Sequence, residues 1–199
     1  MSKRQGTKRA LAFALVSVAA ITLVMVPARS VAQGSTANPA EPVGYKNGNY
    51  RSVTPGTLTG AQVLTNKTAR ALWETKTAIF VDVLPRLSRP AQLPEGTIFR
   101  IPKRMNIPGS VWLPNVGFGV IPPRVDAYFR ANLHTLSGGD KTKPLVIYCL
   151  ANCWMSWNAA KRALHYGYGN IYWYPEGTDG WARDDGPLEL SKPVPLKTE

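Results

Sequence analysis

Short apolar runs alternate with amphipathic stretches along most of the chain. Ala78-Ile79-Phe80-Val81-Asp82-Val83 and Leu145-Val146-Ile147-Tyr148 are continuous apolar runs of strand length, and Asn170–Tyr174 is a third. Unbroken runs of this kind predict strands buried on both faces rather than one. Helical spacing fills the intervals. Ala61, Leu64, Ala71 and Leu72 predict a helix that opens at Thr59, with Gln62 three residues on, and runs to Trp73. Val125, Tyr128, Phe129, Leu133 and Leu136 predict a second helix closed by Gly138-Gly139, and Trp157, Ala160 and Leu164 lie on one face of a third over Ser156–Tyr166. Pro85–Pro108 holds five prolines and reads as loop. Strands alternating with helices indicate an α/β domain with a mainly parallel central sheet flanked by helices.

The first 32 residues follow a different pattern. Lys3, Arg4, Lys8 and Arg9 precede an uncharged apolar run from Ala10 to Val26, and Ser30 and Ala32 supply a small-x-small cleavage site. This is the pattern of a secretory signal peptide. The apolar run is slightly short for a stable span, so cleavage after Ala32 is expected and no membrane anchor is retained. Residues 33–57, rich in Gly, Pro, Asn, Ser and Thr, read as a flexible arm, which leaves 58–199 as the folded domain. The protein is therefore expected to be periplasmic or secreted.

Composition sharpens this picture in two places. The 199 residues carry 24 Lys and Arg against 12 Asp and Glu, a formal charge of +12. Residues 1–32 hold five of the basic residues and no acid, so 19 basic residues face 12 acidic ones on the remainder. That balance suits an acidic partner more than nucleic acid. With 44% hydrophobic and 18% charged residues, the chain can bury a core. Two cysteines exclude a disulfide scaffold and any four-cysteine zinc or iron-sulfur centre within one chain.

Both cysteines fall in one segment, Leu145-Val-Ile-Tyr-Cys149-Leu150-Ala151-Asn152-Cys153-Trp154-Met155-Ser156-Trp157. An apolar strand delivers Cys149 to its carboxyl end, where open α/β sheets place ligands and nucleophiles. The loop amides and the positive end of the following helix favour an anion there, so Cys149 is expected to form a thiolate readily. In an exported protein the two thiols also tend toward a disulfide, closed tightly over four residues. Cys149 is then the attacking thiol and Cys153 the resolving one.

The chain resembles a rhodanese-like domain in several segments. Ile79-Phe-Val-Asp82-Val resembles that family's strand with a terminal aspartate. Asn106-Ile-Pro-Gly109-Ser-Val-Trp-Leu-Pro resembles its His-Ile-Pro-Gly-Ala segment, and Leu145–Cys149 its nucleophile strand. Tyr166–Trp181 is similar to its last strand and glycine-rich turn, and the matches span Leu58–Leu190. The resemblance implies a three-layer fold, with Leu150, Ala151, Asn152, Trp154, Met155 and Ser156 forming a substrate loop around Cys149, and Asp82 nearby. Within the superfamily, the run from Cys149 to Arg162 resembles the PQQ-dependent catabolism-associated CXXCW motif proteins. That likeness implies a link to PQQ-dependent alcohol oxidation, with a quinoprotein dehydrogenase or a cytochrome c as periplasmic partner, and does not imply that PQQ is bound.

The departures from the family matter as much. A sulfurtransferase loop usually offers an Arg that binds an oxyanion; here Trp154 stands five residues after Cys149, and no Arg lies between Cys149 and Lys161. The same absence argues against a cysteine phosphatase. Asn106 replaces the family's His. Turnover of thiosulfate is thus not expected, although a small sulfur donor could still leave a persulfide on Cys149. Two thiolates also suit Cu(I), and His165 is the better of the two histidines to complete such a set. Trp154, within the loop, is a candidate platform for a planar cofactor or a partner. The loop with Arg86, Arg89, Arg100, Lys103 and Arg104 is a candidate docking site for an acidic partner, and Asp179, Asp184 and Asp185 read as turn formers.

Overall fold

A computed structural model describes residues 38–196. The expected signal peptide and the first residues of the arm lie outside this range. Among the described residues no helix is long and apolar enough to cross a membrane.

The elements alternate as the apolar pattern requires. They are β1 (Gln62–Val63), α1 (Asn66–Glu74), β2 (Ile79–Asp82), β3 (Arg104–Asn106), β4 (Val111–Trp112), α2 (Pro123–Ser137), β5 (Leu145–Tyr148), α3 (Trp154–His165), β6 (Ile171–Tyr174), α4 (Gly177–Arg183) and β7 (Glu189–Ser191). Five strands form one sheet in the order β1-β6-β5-β2-β4, every pairing parallel. β3 and β7 form a separate antiparallel pair.

Alternate strand residues face opposite layers, because successive side chains of a strand point to opposite faces. Val81, Leu145, Ile147, Ile171 and Trp173 pack with Val125, Phe129 and Leu133 of α2 and Trp157, Ala160 and Ala163 of α3. Phe80, Val146, Tyr148 and Tyr174 pack with Ala69 of α1 and Trp181 of α4. This is the three-layer arrangement expected. Trp157, Trp173 and Trp181 are fully buried, and each such side chain contributes on the order of 1.5–3 kcal/mol through removal of apolar surface from water.

Three expectations are corrected. The first helix begins at Asn66, not Thr59. Thr65 is its N-cap: the Thr68 amide donates to Thr65 Oγ1, and the Thr65 amide donates to Thr68 Oγ1. The stretch before it is instead drawn into the sheet edge, where Gln62 and Val63 pair with Tyr172 and Trp173. The proline-rich loop is interrupted by β3, which is held by β7 from far along the chain. Asp179 lies within α4 rather than in a turn, whereas Asp184 caps that helix and Asp185 adopts a positive φ after it.

The described part of the expected arm is tied to α3 along its length. Asn158 accepts from the Lys46 amide and donates to the Lys46 carbonyl, both at 2.9 Å. Lys161 Nζ donates to the carbonyls of Pro42, Val43 and Gly44, and Trp157 Nε1 donates to the Thr57 carbonyl. Each bond satisfies a main-chain group that lacks a secondary-structure partner, which is why a segment without helix or strand can hold one path.

Candidate functional site

Cys149 directly follows β5, and Leu150–Asn152 turn the chain into α3, whose N-cap is Cys153. Asn152 takes the left-handed conformation at φ +50°, which Asn tolerates better than most residues. The turn brings the two cysteines together in a disulfide, with Cα atoms 6.6 Å apart. Cys149 is 0% and Cys153 2% exposed, so the bridge is closed to solvent. The thiolate expected at Cys149 is therefore replaced by a bridged sulfur, with Cys153 as its partner.

The main-chain oxygen of Cys149 is gripped from two directions. The Thr178 amide donates to it at 3.1 Å and the Thr178 hydroxyl at 3.4 Å, and Arg104 Nη2 donates at 3.2 Å. Arg104 also donates from Nη1 to Thr178 Oγ1 at 3.3 Å and from Nε to Asp82 Oδ2 at 2.5 Å. The Leu84 amide donates to the other Asp82 oxygen. Asp82 is fully buried and Arg104 only 8% exposed. Burial pushes the Asp82 carboxyl above the usual carboxylate range, outweighing the pull of Arg104 and the Leu84 amide. Asp82 therefore acts on the loop through Arg104. Gly177 allows the approach: it has φ +51°, and a Cβ there would lie 2.5 Å from the Cys149 carbonyl oxygen.

The loop amides are less open than an anion cradle requires. The Ala151 amide donates to the Asp179 carboxylate at 3.1 Å, and the Trp154 amide donates to the Tyr50 carbonyl at 2.9 Å. Two donors expected for a bound anion are thus taken up by the chain itself.

The remaining candidates separate into those held at the bridge and those that are not. Leu150 is half-buried and bridges to Gly177. Met155 and Ser156 are buried in the first turn of α3, where Ser156 Oγ donates to the Cys153 carbonyl and accepts from Trp173 Nε1. Trp154 is 3% exposed. Its Nε1 reaches Ser52 Oγ and the Val53 carbonyl, both at 3.1 Å, while Lys46 Nζ sits over its ring and Trp157 meets it edge-on. Trp154 presents no open face to a planar cofactor or to a partner, which corrects its reading as a platform. His165 ends α3, about 18 Å along the helix from Cys153 at 1.5 Å per residue. Its Nδ1 bonds to Tyr45 OH at 2.8 Å, so the Cu(I) set of Cys149, Cys153 and His165 is not assembled. Among the described residues no cluster of His, Cys, Asp and Glu could hold a metal.

Thr178 and Tyr50 were not legible as site residues, Asp179 was read only as a turn former, and Arg104 was read as part of a basic docking loop, whereas it is buried, paired with Asp82 and turned to the Cys149 carbonyl. Arg104 and Thr178 lie 45 and 29 residues from Cys149, and only the sheet brings them together. Asn106, in the place of the family's His, is fully buried, and its side-chain amide has no hydrogen-bond partner.

The family profile of the Rhodanese-like domain matches residues 65–184. Among solved structures, the chain is similar to an uncharacterized protein from Saccharomyces cerevisiae at 22% identity and a TM-score of 0.38, covering 62% of this chain and 92% of that one. It is also similar to a polysulfide-sulfur transferase homodimer from Wolinella succinogenes at 20% identity and a TM-score of 0.39, covering 65% and 79%. A third, EanB in complex with hercynine, shares 19% identity at a TM-score of 0.44, covering 72% of this chain and 34% of its own. The search of curated proteins returned no match.

Proposed function

The chain belongs to the rhodanese-like domain family, and from that premise we propose that it is an exported sulfur-handling protein in which Cys149 takes up sulfane sulfur and Cys153 resolves the product. In the reduced protein the Cys149 thiolate attacks a sulfane-sulfur donor such as polysulfide. A sulfur–sulfur bond forms at Cys149, the donor's own bond breaks, and the donor departs as an anion one sulfur shorter. The Cys153 thiolate then attacks Cys149 Sγ, and hydrosulfide leaves with the electron pair of the broken bond. The cysteine pair is oxidised to a disulfide and the transferred sulfur is reduced. An external dithiol, oxidised in turn to its own disulfide, restores the thiols by exchange.

The observation that carries this reading is the Cys149–Cys153 bridge at the carboxyl end of β5. The occupied Ala151 and Trp154 amides, with no arginine in the loop itself, speak against thiosulfate and for a donor that needs no oxyanion cradle. The periplasmic setting follows from the signal-like first 32 residues, and the link to a quinoprotein dehydrogenase or cytochrome c rests on the run from Cys149 to Arg162.

Burial of both sulfurs favours a second reading, a non-catalytic accessory module that docks a periplasmic partner. Intact mass with and without reductant and alkylation separates the two, combined with Cys149→Ser and Cys153→Ser variants. Polysulfide should leave Cys153→Ser heavier by one sulfur, about 32 Da, leave Cys149→Ser unchanged, and draw hydrosulfide only from the reduced parent protein. If neither variant differs from the parent in polysulfide chemistry or in supporting growth on alcohols, the accessory reading replaces the first.

A further inference from the structure

The segment between β2 and β3 carries apolar surface that the cysteine chemistry leaves unused. Leu87 is 57% and Ile101 40% exposed. With Trp112 of β4 and Leu150 of the cysteine loop they wall a groove of about 370 Å³. Arg86, Lys103 and Arg104 also line it, and no Asp or Glu does. Arg104 is buried and paired with Asp82, whereas Arg86 and Lys103 are exposed and neither forms an ion pair among the described residues. An apolar floor with uncompensated charge of one sign at its edge selects for a ligand that carries the complementary pair of properties. The volume lies in the range of small-ligand sites, roughly 300–1,000 Å³.

We propose that this groove binds a small organic anion. Its apolar body lies against Leu87, Ile101, Trp112 and Leu150, and its carboxylate or sulfonate is held by Arg86 and Lys103. A guanidinium and an ammonium lining one groove can share one such anion, the first through its planar fork and the second as a point charge. Leu150 directly follows Cys149, so the occupant rests against the cysteine loop. The site is formed by groups other than the sulfurs and does not depend on their turnover.

The test is a fluorescence titration of the purified protein with two probes of the same apolar body, anilinonaphthalene sulfonate and the neutral N-phenylnaphthylamine. The sulfonate should bind once per chain, at least about tenfold tighter than the neutral probe, and octanoate should displace it. Arg86→Ala combined with Lys103→Ala should weaken the sulfonate about tenfold and leave the neutral probe unchanged. Leu87→Asp should remove both. These positions are exposed, and an unchanged unfolding midpoint verifies the fold of each variant. Equal affinity for the two probes, or sulfonate binding that the double variant leaves intact, overturns the proposal. Displacement by an acidic peptide but not by octanoate overturns it in favour of a protein partner.

Discussion

Arg104 holds the main-chain oxygen of Cys149 at 3.2 Å while its Nε is committed to the buried carboxylate of Asp82. The relationship ties the end of β2 to the end of β5 through the first residue of β3. It explains how a chain without an arginine in its cysteine loop still sets a guanidinium beside that loop. The contact is to the carbonyl, so Arg104 positions Cys149 and does not itself meet a substrate at this atom.

Arg104→Met should destabilise the fold by about 3–5 kcal/mol, because it leaves Asp82 charged, buried and unpaired. Adding Asp82→Leu should recover much of that loss. The pH dependence identifies the cause. Burial already raises the Asp82 carboxyl, and loss of Arg104 raises it further. A folded-state value above the unfolded one means that the native state binds the proton more tightly, so stability from this group is greatest at low pH and is lost as pH rises through the raised value. The deficit of Arg104→Met should therefore shrink on acidification, as urea unfolding across pH would read. A deficit independent of pH would assign it to packing instead.

Trp154 closes the bridge by fastening the segment around Tyr50 to α3. Trp154→Phe keeps the apolar bulk and removes the Nε1 donor shared by Ser52 and Val53. A bond of this kind contributes about 0.5–1.5 kcal/mol net. Local opening, and with it the rate at which dithiothreitol reduces Cys149–Cys153, should rise about two- to thirteenfold. Alkylation after a short pulse of reductant measures it. An unchanged rate would show that access to the sulfurs does not pass beneath this segment.

Asp126 supplies an acid-sensitive contact distant from the site. It accepts from Arg130 Nε at 2.7 Å and from Tyr166 OH. Burial alone would push its carboxyl up, but the hydrogen bonds from Arg130 and Tyr166 and the charges of Arg130 and Arg162 outweigh that and hold it below the usual range. With the folded value depressed, its contribution is present above the unfolded value and is lost as pH falls through the folded one. Asp126→Asn should flatten the acid limb of the stability profile and change it little at neutral pH beyond a constant offset. An acid limb identical to that of the parent protein would exclude Asp126 as its source.

The strands and the cysteine loop were legible because β2 and β5 are buried on both faces, and such strands write continuous apolar runs into the sequence. The start of α1 was not. Thr59 with Gln62 and Thr65 with Thr68 offer the same local capping pattern, and the choice falls to the pairing of Gln62 with Tyr172, more than a hundred residues away. The same physics hid half of the site. Cys149 and Cys153 are neighbours in sequence and could be read as a pair, whereas Arg104 and Thr178 reach the Cys149 carbonyl only because parallel strands bring distant loops to one edge. Trp154 misled for a related reason: its place in the loop was visible, but the segment that covers it was not.

Asn106 offers a test in which a substitution should strengthen the protein. It stands between Met105 and Ile107 at the end of β3, fully buried, with both polar atoms of its side chain unpartnered. A buried amide that lost its water without gaining a partner costs about 1–3 kcal/mol, whereas an apolar side chain of the same shape does not carry that cost. Leu is nearly isosteric, and the neighbours Ile107 and Tyr148 already belong to one apolar cluster. Asn106→Leu should therefore stabilise the fold by about 1–3 kcal/mol, seen as a higher denaturant midpoint with an unchanged slope. Asn106→Ala, which empties the space as well as removing the amide, should gain less or lose stability. If both variants are weaker than the parent protein, the amide has a partner, and ordered water at this position is the first to be sought.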